Sequence, residues 1–94
     1  MPLTYRAAQS AIKRNDIEGL TRALDKGMDP NLVNENGWTL LMIAAVEGNV
    51  EMGRLLLDAG AFTTAANAKG DTALTIAVNR NHAGFVDLLN SFGK

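Results

Sequence analysis

The sequence predicts an all-α repeat solenoid, built from stacked helix–turn–helix pairs with projecting β-turn or hairpin loops between them. Three observations carry the prediction: glycines that recur every 33 residues, a helix-breaking residue at one fixed place in each unit, and apolar residues at helical spacing on either side of it.

The period is plainest in Gly27, Gly60 and Gly93, and it recurs elsewhere. Gly37 matches Gly70, Thr39 matches Thr72, and Leu41 matches Leu74. Ile43 and Ala44 match Ile76 and Ala77, and Leu55 and Leu56 match Leu88 and Leu89. Between 37–60 and 70–93, eight of 24 aligned positions are identical, too many and too regularly placed for accident. The chain reads as one domain over 1–94, with units at about 4–33, 34–66 and 67–94.

Within each unit the first helix ends at Asn15, Gly48 or Asn81, the residue types that most readily enter the left-handed conformation. Asp16, Asn49 and His82 follow, and the first two are good N-caps for a second helix. Apolar residues then recur at helical spacing: Ile17, Leu20 and Leu24; Met52 and Leu55 to Leu57; Phe85, Val86, Leu88 and Leu89. Glycines 27, 60 and 93 close these second helices. The spacing predicts helices over about 4–14, 17–26, 40–47, 50–59, 73–80 and 83–92. Residues 28–38 and 61–71 are rich in Asn, Gly, Asp and Pro and read as protruding turns.

A 33-residue unit of two helices and a turn resembles the ankyrin repeat, whose signature is T-P-L-H-x-A. The signature stands as Thr39-Leu40-Leu41-Met42-Ile43-Ala44 and as Thr72-Ala73-Leu74-Thr75-Ile76-Ala77. Thr, Leu and Ala are kept, whereas Pro and His are missing, which weakens the helix start and the Thr-to-His hydrogen bonding of the family. The first unit is more divergent, with Arg6 in the Thr frame and Ala8 in the Leu frame. Leu55 of the middle unit corresponds to Arg22 in the first, and Leu57 to Asn90 in the last. Polar residues at the ends of the stack are what caps require, and they predict a complete small protein of about three repeats.

Composition narrows the partners. Nine Lys and Arg against ten Asp and Glu give a net charge of −1, without the clustered positive field that nucleic acid or anionic lipid requires. No cysteine is present, so disulfides and thiolate metal sites are excluded. No apolar run is long enough for a signal peptide or a membrane span, and the expected location is the cytoplasm. One His, two Ser and no Cys leave few ways to assemble a nucleophile with its base, so neither an enzyme nor a cofactor is expected. His82 reads as a structural residue at a helix start, where the family often carries His. Met28, Met42 and Met52 read as core fillers.

The ankyrin resemblance implies a concave binding surface made by the turns and the exposed side of each first helix. It places a ligand-facing turn position between Gly37 and Thr39, and between Gly70 and Thr72, occupied by Trp38 and Asp71. Trp is enriched at interface hot spots, so Trp38 is the leading contact, with local packing as its alternative. Tyr5, Lys13 and Arg14 of the first unit share that frame. So do Glu35, Asn36, Val46 and Glu47 of the second, and Lys69, Asn79 and Arg80 of the third. Of these, Trp38, Tyr5, Arg14, Glu35, Asn36, Val46, Glu47, Lys69, Asp71 and Arg80 are the expected contacts with a protein or extended peptide. The expected function is therefore protein binding by a monomer, with enzyme inhibition as a sharper variant. A third reading is self-association through the C-terminal edge, using Phe85 and Phe92, against which ordinary packing of these rings onto the preceding helix pair is the favoured reading.

Overall fold

The chain was analysed as a computed structural model, which describes residues 5–92. Among the described residues six helices follow in order: α1 (Tyr5–Lys13), α2 (Ile17–Asp25), α3 (Leu40–Glu47), α4 (Val50–Asp58), α5 (Ala73–Asn79) and α6 (Ala83–Phe92). They match the helices expected from the spacing to within a residue or two.

The helix breaks form where the residue types demand them. Asn15, Gly48 and Asn81 have φ of 58°, 67° and 61°, left-handed values that Asn and Gly tolerate best. Each break turns the next amide back onto the first helix, as Asp16 N–H donates to the Ala11 carbonyl at 2.8 Å, Asn49 N–H to Ala44 at 3.1 Å and His82 N–H to Ala77 at 2.9 Å. The second helices then start on side-chain caps. Asp16 Oδ1 accepts from Gly19 N–H at 3.0 Å, and Asn49 Oδ1 accepts from Met52 N–H at 3.1 Å. Gly27 and Gly60, with φ of 96° and 104°, end α2 and α4. Gly93, expected to close α6, lies outside the described residues.

Thr39 and Thr72 start α3 and α5, and the residues in the missing His position take part. Thr39 Oγ1 accepts from Met42 N–H at 3.1 Å while the Met42 sulfur lies 3.5 Å from Thr39 N. Thr72 Oγ1 accepts from Thr75 N–H at 3.2 Å and lies 3.2 Å from the Thr75 hydroxyl. A thioether and a second hydroxyl thus stand in for the imidazole at these two helix starts.

Between the pairs the chain doubles back. Val33 bridges Thr39 in antiparallel fashion, forming a hairpin whose tip is Glu35 and Asn36. The second turn closes through Asn67 N–H donating to the Asp71 carbonyl at 2.9 Å. Asn34 and Asn67, one period apart, brace the two turns in the same way. Asn34 Oδ1 accepts from Asn36 N–H at 2.9 Å and Trp38 N–H at 3.0 Å. Asn67 Oδ1 accepts from Lys69 N–H at 2.9 Å and Asp71 N–H at 3.0 Å.

Packing runs from pair to pair. The first helices stack α1 on α3 on α5, and the second helices stack α2 on α4 on α6. The core between them holds Ile12, Leu20, Leu40, Leu41, Met42, Met52, Leu56 and Phe85, all essentially without exposure. Met28, Met42 and Met52 are buried, as expected. Phe85 packs onto the preceding helix pair and is fully buried, so it is not open for self-association at the C-terminal edge. Its ring presses against Gly53 of α4, so closely that a Cβ there would meet Phe85 Cε2 at 2.6 Å and Leu88 Cδ2 at 2.9 Å. Only Phe92 of that expected pair is exposed.

Polar links join the units outside the core. Asn49 Nδ2 donates to Asn15 Oδ1 at 2.7 Å, and His82 Nε2 lies 3.1 Å from the Val46 carbonyl. Asn31 Nδ2 donates to the Gly60 carbonyl at 3.2 Å, while its Oδ1 accepts from Phe62 N–H at 2.8 Å. Ala68 N–H donates to the Asn36 carbonyl at 3.0 Å, tying one turn to the next. There Gly37, with φ of 79°, lets the turns approach until a Cβ would stand 3.2 Å from Asn67 Cα.

The contact between Gly53 and Phe85 gives the first prediction. Ala is normally preferred to Gly in a helix by about 1 kcal/mol, but here the added methyl collides with a filled core. Gly53→Ala is expected to destabilise the fold by about 1–3 kcal/mol. A urea denaturation midpoint at or above the wild-type value would show that the ring yields instead.

Candidate protein-binding groove

The site is assembled where the first hairpin meets the first helices. A groove of about 300 Å³ opens there, floored by Ile43 and walled by Gln9 and Lys13 of α1, Val46 and Glu47 of α3, Asn34, Asn36 and Trp38 of the hairpin, and Arg80 after α5. Each helix pair therefore contributes to one depression. Its apolar surface comes from Trp38, Ile43 and Val46, and its charges are Lys13, Glu47 and Arg80, of both signs.

Five of the expected contact residues meet in this groove: Asn36, Trp38, Val46, Glu47 and Arg80. Trp38 shows the local packing expected as the alternative to partner contact. It is half-buried with its ring packed against the core, and its backbone is bonded to Asn34 through a 3.1 Å link from Asn34 N–H to the Trp38 carbonyl. Trp38 therefore serves both the hairpin and the groove, packing against the core while lining the opening.

The other expected residues lie apart from it. Glu35 and Lys69 are exposed at the two turn tips, and Asp71 is half-buried beside Asn67, closing the second turn through its backbone. Arg14 lines a separate hollow of about 170 Å³ between α1 and α2, together with Asp16, Leu20 and Met28. Tyr5 packs against the core, and its hydroxyl is buried without a hydrogen-bond partner among the described residues. Burial raises the Tyr5 pKa above its ordinary value, because the phenolate would lose its water.

Gln9, Asn34 and Ile43 were missed by sequence reasoning. Asn34 carried a usable signal, since Asn67 repeats it after 33 residues, but a loop Asn is easily read as mere turn composition. Ile43 is hidden in the helical core pattern. Gln9 belongs to the divergent first unit and shows no pattern of its own.

Tyr5 yields a prediction with a defined sign. Removing a buried, unpartnered hydroxyl should leave Tyr5→Phe as stable as the wild type or about 1 kcal/mol more stable. Because the raised pKa favours the neutral form in the fold, the wild type keeps its stability below the ordinary tyrosine pKa of about 10 and loses it as pH rises beyond. The gap between the urea midpoints of the two proteins should therefore stay constant at about pH 8 to 9 and widen only at the alkaline end, above the ordinary tyrosine pKa, and parallel curves up to about pH 11 would place the hydroxyl in water.

With the geometry in view, comparison with known proteins is informative. The family described as ankyrin repeats, in three copies, matches residues 6–93. Among relatives, the ankyrin repeat and KH domain-containing protein mask of Drosophila melanogaster is 43% identical over 76 residues, 79% of this chain and 2% of that protein. A putative ankyrin repeat protein of fowlpox virus is 40% identical over 84 residues, 87% of this chain and 19% of that protein. The human NAD-capped RNA hydrolase NUDT12 is 40% identical over 77 residues, 79% of this chain but 16% of the enzyme. The chain thus spans a small part of each of these relatives. A chain of the solved complex between a predatory endopeptidase from Bdellovibrio bacteriovorus and an immunity protein superposes with a TM-score of 0.88 at 28% identity, over 97% of this chain and 48% of that one. The human ASB11 ankyrin repeat domain superposes with a TM-score of 0.86 at 28% identity, over 92% of this chain and 39% of that one. Period, helix pairs, stacked hairpins and sequence all agree: the chain belongs to the ankyrin-repeat family.

Proposed function

We propose that the protein is a binding module that grips a segment of a partner protein in the groove beside Trp38. The observation that carries the reading is the convergence of Lys13, Trp38, Val46, Glu47 and Arg80, from three successive repeats, on one depression. Ankyrin repeats serve generally in protein–protein interaction, which agrees with this use. An aromatic ring beside Val46 offers an apolar seat, and cations on two sides of Glu47 suit a segment bearing both charges. A polyanion such as nucleic acid would meet Glu47 inside the groove. The enzyme-named relative matches this chain over only 16% of its own length, so its activity lends no support to an enzymatic reading.

A second reading is favoured by a specific observation. A chain of the endopeptidase–immunity protein complex covers 97% of this chain. The groove would then be the means by which the protein occludes a partner enzyme. Turnover of a co-purified enzyme, measured with and without added protein, separates inhibition from simple tethering.

Affinity purification from the native cell supplies the partner for the main test. Trp38→Ala is expected to weaken binding by about 30-fold, the equivalent of about 2 kcal/mol at a central anchor. Because that ring also packs on the core, Arg80→Glu is the companion variant; Arg80 is exposed, and its reversal should weaken binding severalfold without moving the unfolding curve. If both variants fold and bind the partner as the wild type does, the groove is not the binding face.

A further inference from the structure

An asparagine loses its side-chain amide without an enzyme when the backbone nitrogen of the next residue attacks the carboxamide carbon, and a following glycine, with no side chain, obstructs that attack least. Of the nine asparagines in the chain only Asn36 stands before a glycine, so this chemistry has one favoured address. The structure leaves the side chain available. Asn36 is exposed at the tip of the first hairpin, and its carboxamide makes no hydrogen bond among the described residues. By contrast Asn15 and Asn49 bond to each other, Asn31 bonds to Gly60 and Phe62, and Asn34 and Asn67 hold the amides of their own turns. Asn79, Asn81 and Asn90 are exposed as well, but Arg80, His82 and Ser91 follow them.

The attacking atom, however, is held back. Gly37 N–H donates to the Asn34 carbonyl at 3.0 Å, while Asn34 Oδ1 accepts from Asn36 N–H at 2.9 Å and from Trp38 N–H at 3.0 Å. Three successive amides around the reacting pair are thus pinned to one residue. Ala68 N–H, donating to the Asn36 carbonyl at 3.0 Å, fixes the same peptide unit from the next turn. While these bonds hold, the Gly37 nitrogen keeps its proton on a carbonyl and cannot swing onto the carboxamide carbon, so reaction passes through transient opening of the hairpin. The second turn is braced alike by Asn67, but Lys69 precedes Gly70 there and carries no carboxamide.

We propose that Asn36 is a site of spontaneous deamidation gated by the Asn34 brace, and that its product places a new carboxylate in the groove. In the first step the Gly37 nitrogen bonds to Asn36 Cγ, the Cγ–Nδ2 bond breaks, and the proton of the Gly37 nitrogen leaves with Nδ2 as ammonia. The five-membered imide so formed takes up one water. Opening at Cγ restores the ordinary chain with an aspartate side chain, whereas opening at the backbone carbonyl carbon gives isoaspartate, whose main chain runs through Cβ and Cγ. The balance is one water consumed and one ammonia released, with no oxidant or reductant. Either product adds a negative charge to a wall shared with Lys13, Glu47 and Arg80. Isoaspartate also takes the carbonyl that receives Ala68 N–H out of the main chain, which loosens the tie between the turns. Only the effect on a partner rests on the groove being the binding face; the reaction does not.

The purified chain, incubated at mildly alkaline pH, is digested and mapped by mass spectrometry for a gain of about 1 Da and for isoaspartate. The gain should collect at Asn36 ahead of every other asparagine. Asn34→Ala removes the acceptor of two amides and should raise the rate at Asn36 about tenfold, whereas Asn34→Asp keeps an acceptor oxygen and should leave it near the wild-type value. A gain no faster at Asn36 than elsewhere overturns the proposal. So does an Asn34→Ala protein that shows wild-type helical content by circular dichroism and reacts at the wild-type rate. Should that variant fail to fold, the wild type is compared in buffer and in denaturing urea at one pH: faster reaction in urea supports the gate, and equal rates sink it. Partner affinity of Asn36→Asp is measured separately. Deamidation at Asn36 together with unchanged affinity of Asn36→Asp counts against the groove as the binding face and leaves the modification site standing.

Discussion

No helix pair in this chain can cover both of its own faces, and the whole structure follows from that constraint. Seven to ten residues per helix are too few to make an independent core, so apolar area is removed from water only where one pair lies against the next. The closeness of that contact is set by residues that are small for a reason. Gly53 leaves room for the ring of Phe85, and Gly48 leaves room for the ring of His82, where a Cβ would stand 2.5 Å from Nδ1. The apolar stack supplies the driving force, and the polar links between Asn15 and Asn49, and between Val46 and His82, fix its register.

The fold was legible because its punctuation is local. Asn15, Gly48 and Asn81 break helices through their own backbone preferences, and Asp16 and Asn49 start the next ones through their own side chains, so neither depends on distant contacts. The groove was legible only in part. Asn36, Trp38, Val46, Glu47 and Arg80 share a frame and do converge, whereas Tyr5, in the same frame, is drawn into the core by the divergent first unit. That Phe85 packs onto the preceding pair was legible, but the glycine that receives its ring, 32 residues earlier in a different repeat, was not. Frame arithmetic compares equivalent positions; it is silent about partners that are not equivalent.

The hairpins show how a scaffold of this kind carries a variable surface. Asn34 and Asn67 hold each turn from within through paired amide contacts, and the Ala68 to Asn36 bond holds one turn against the next. Side chains at the tips, such as Glu35 and Lys69, are consequently released from any duty in folding. Trp38, at the root of its hairpin, has a foot in both roles, which suits a contact that must be presented rigidly.

The imidazole of His82 meets the carbonyl of Val46 on the very turn of α3 that forms a wall of the groove. The last helix pair is therefore moored to the rim of the groove. In the proposed binding mode a segment seated between Val46 and Arg80 would brace that mooring from outside, and occupancy and fraying of α6 would become linked quantities. Susceptibility of α6 to digestion would then report, from a distance, whether the groove is full.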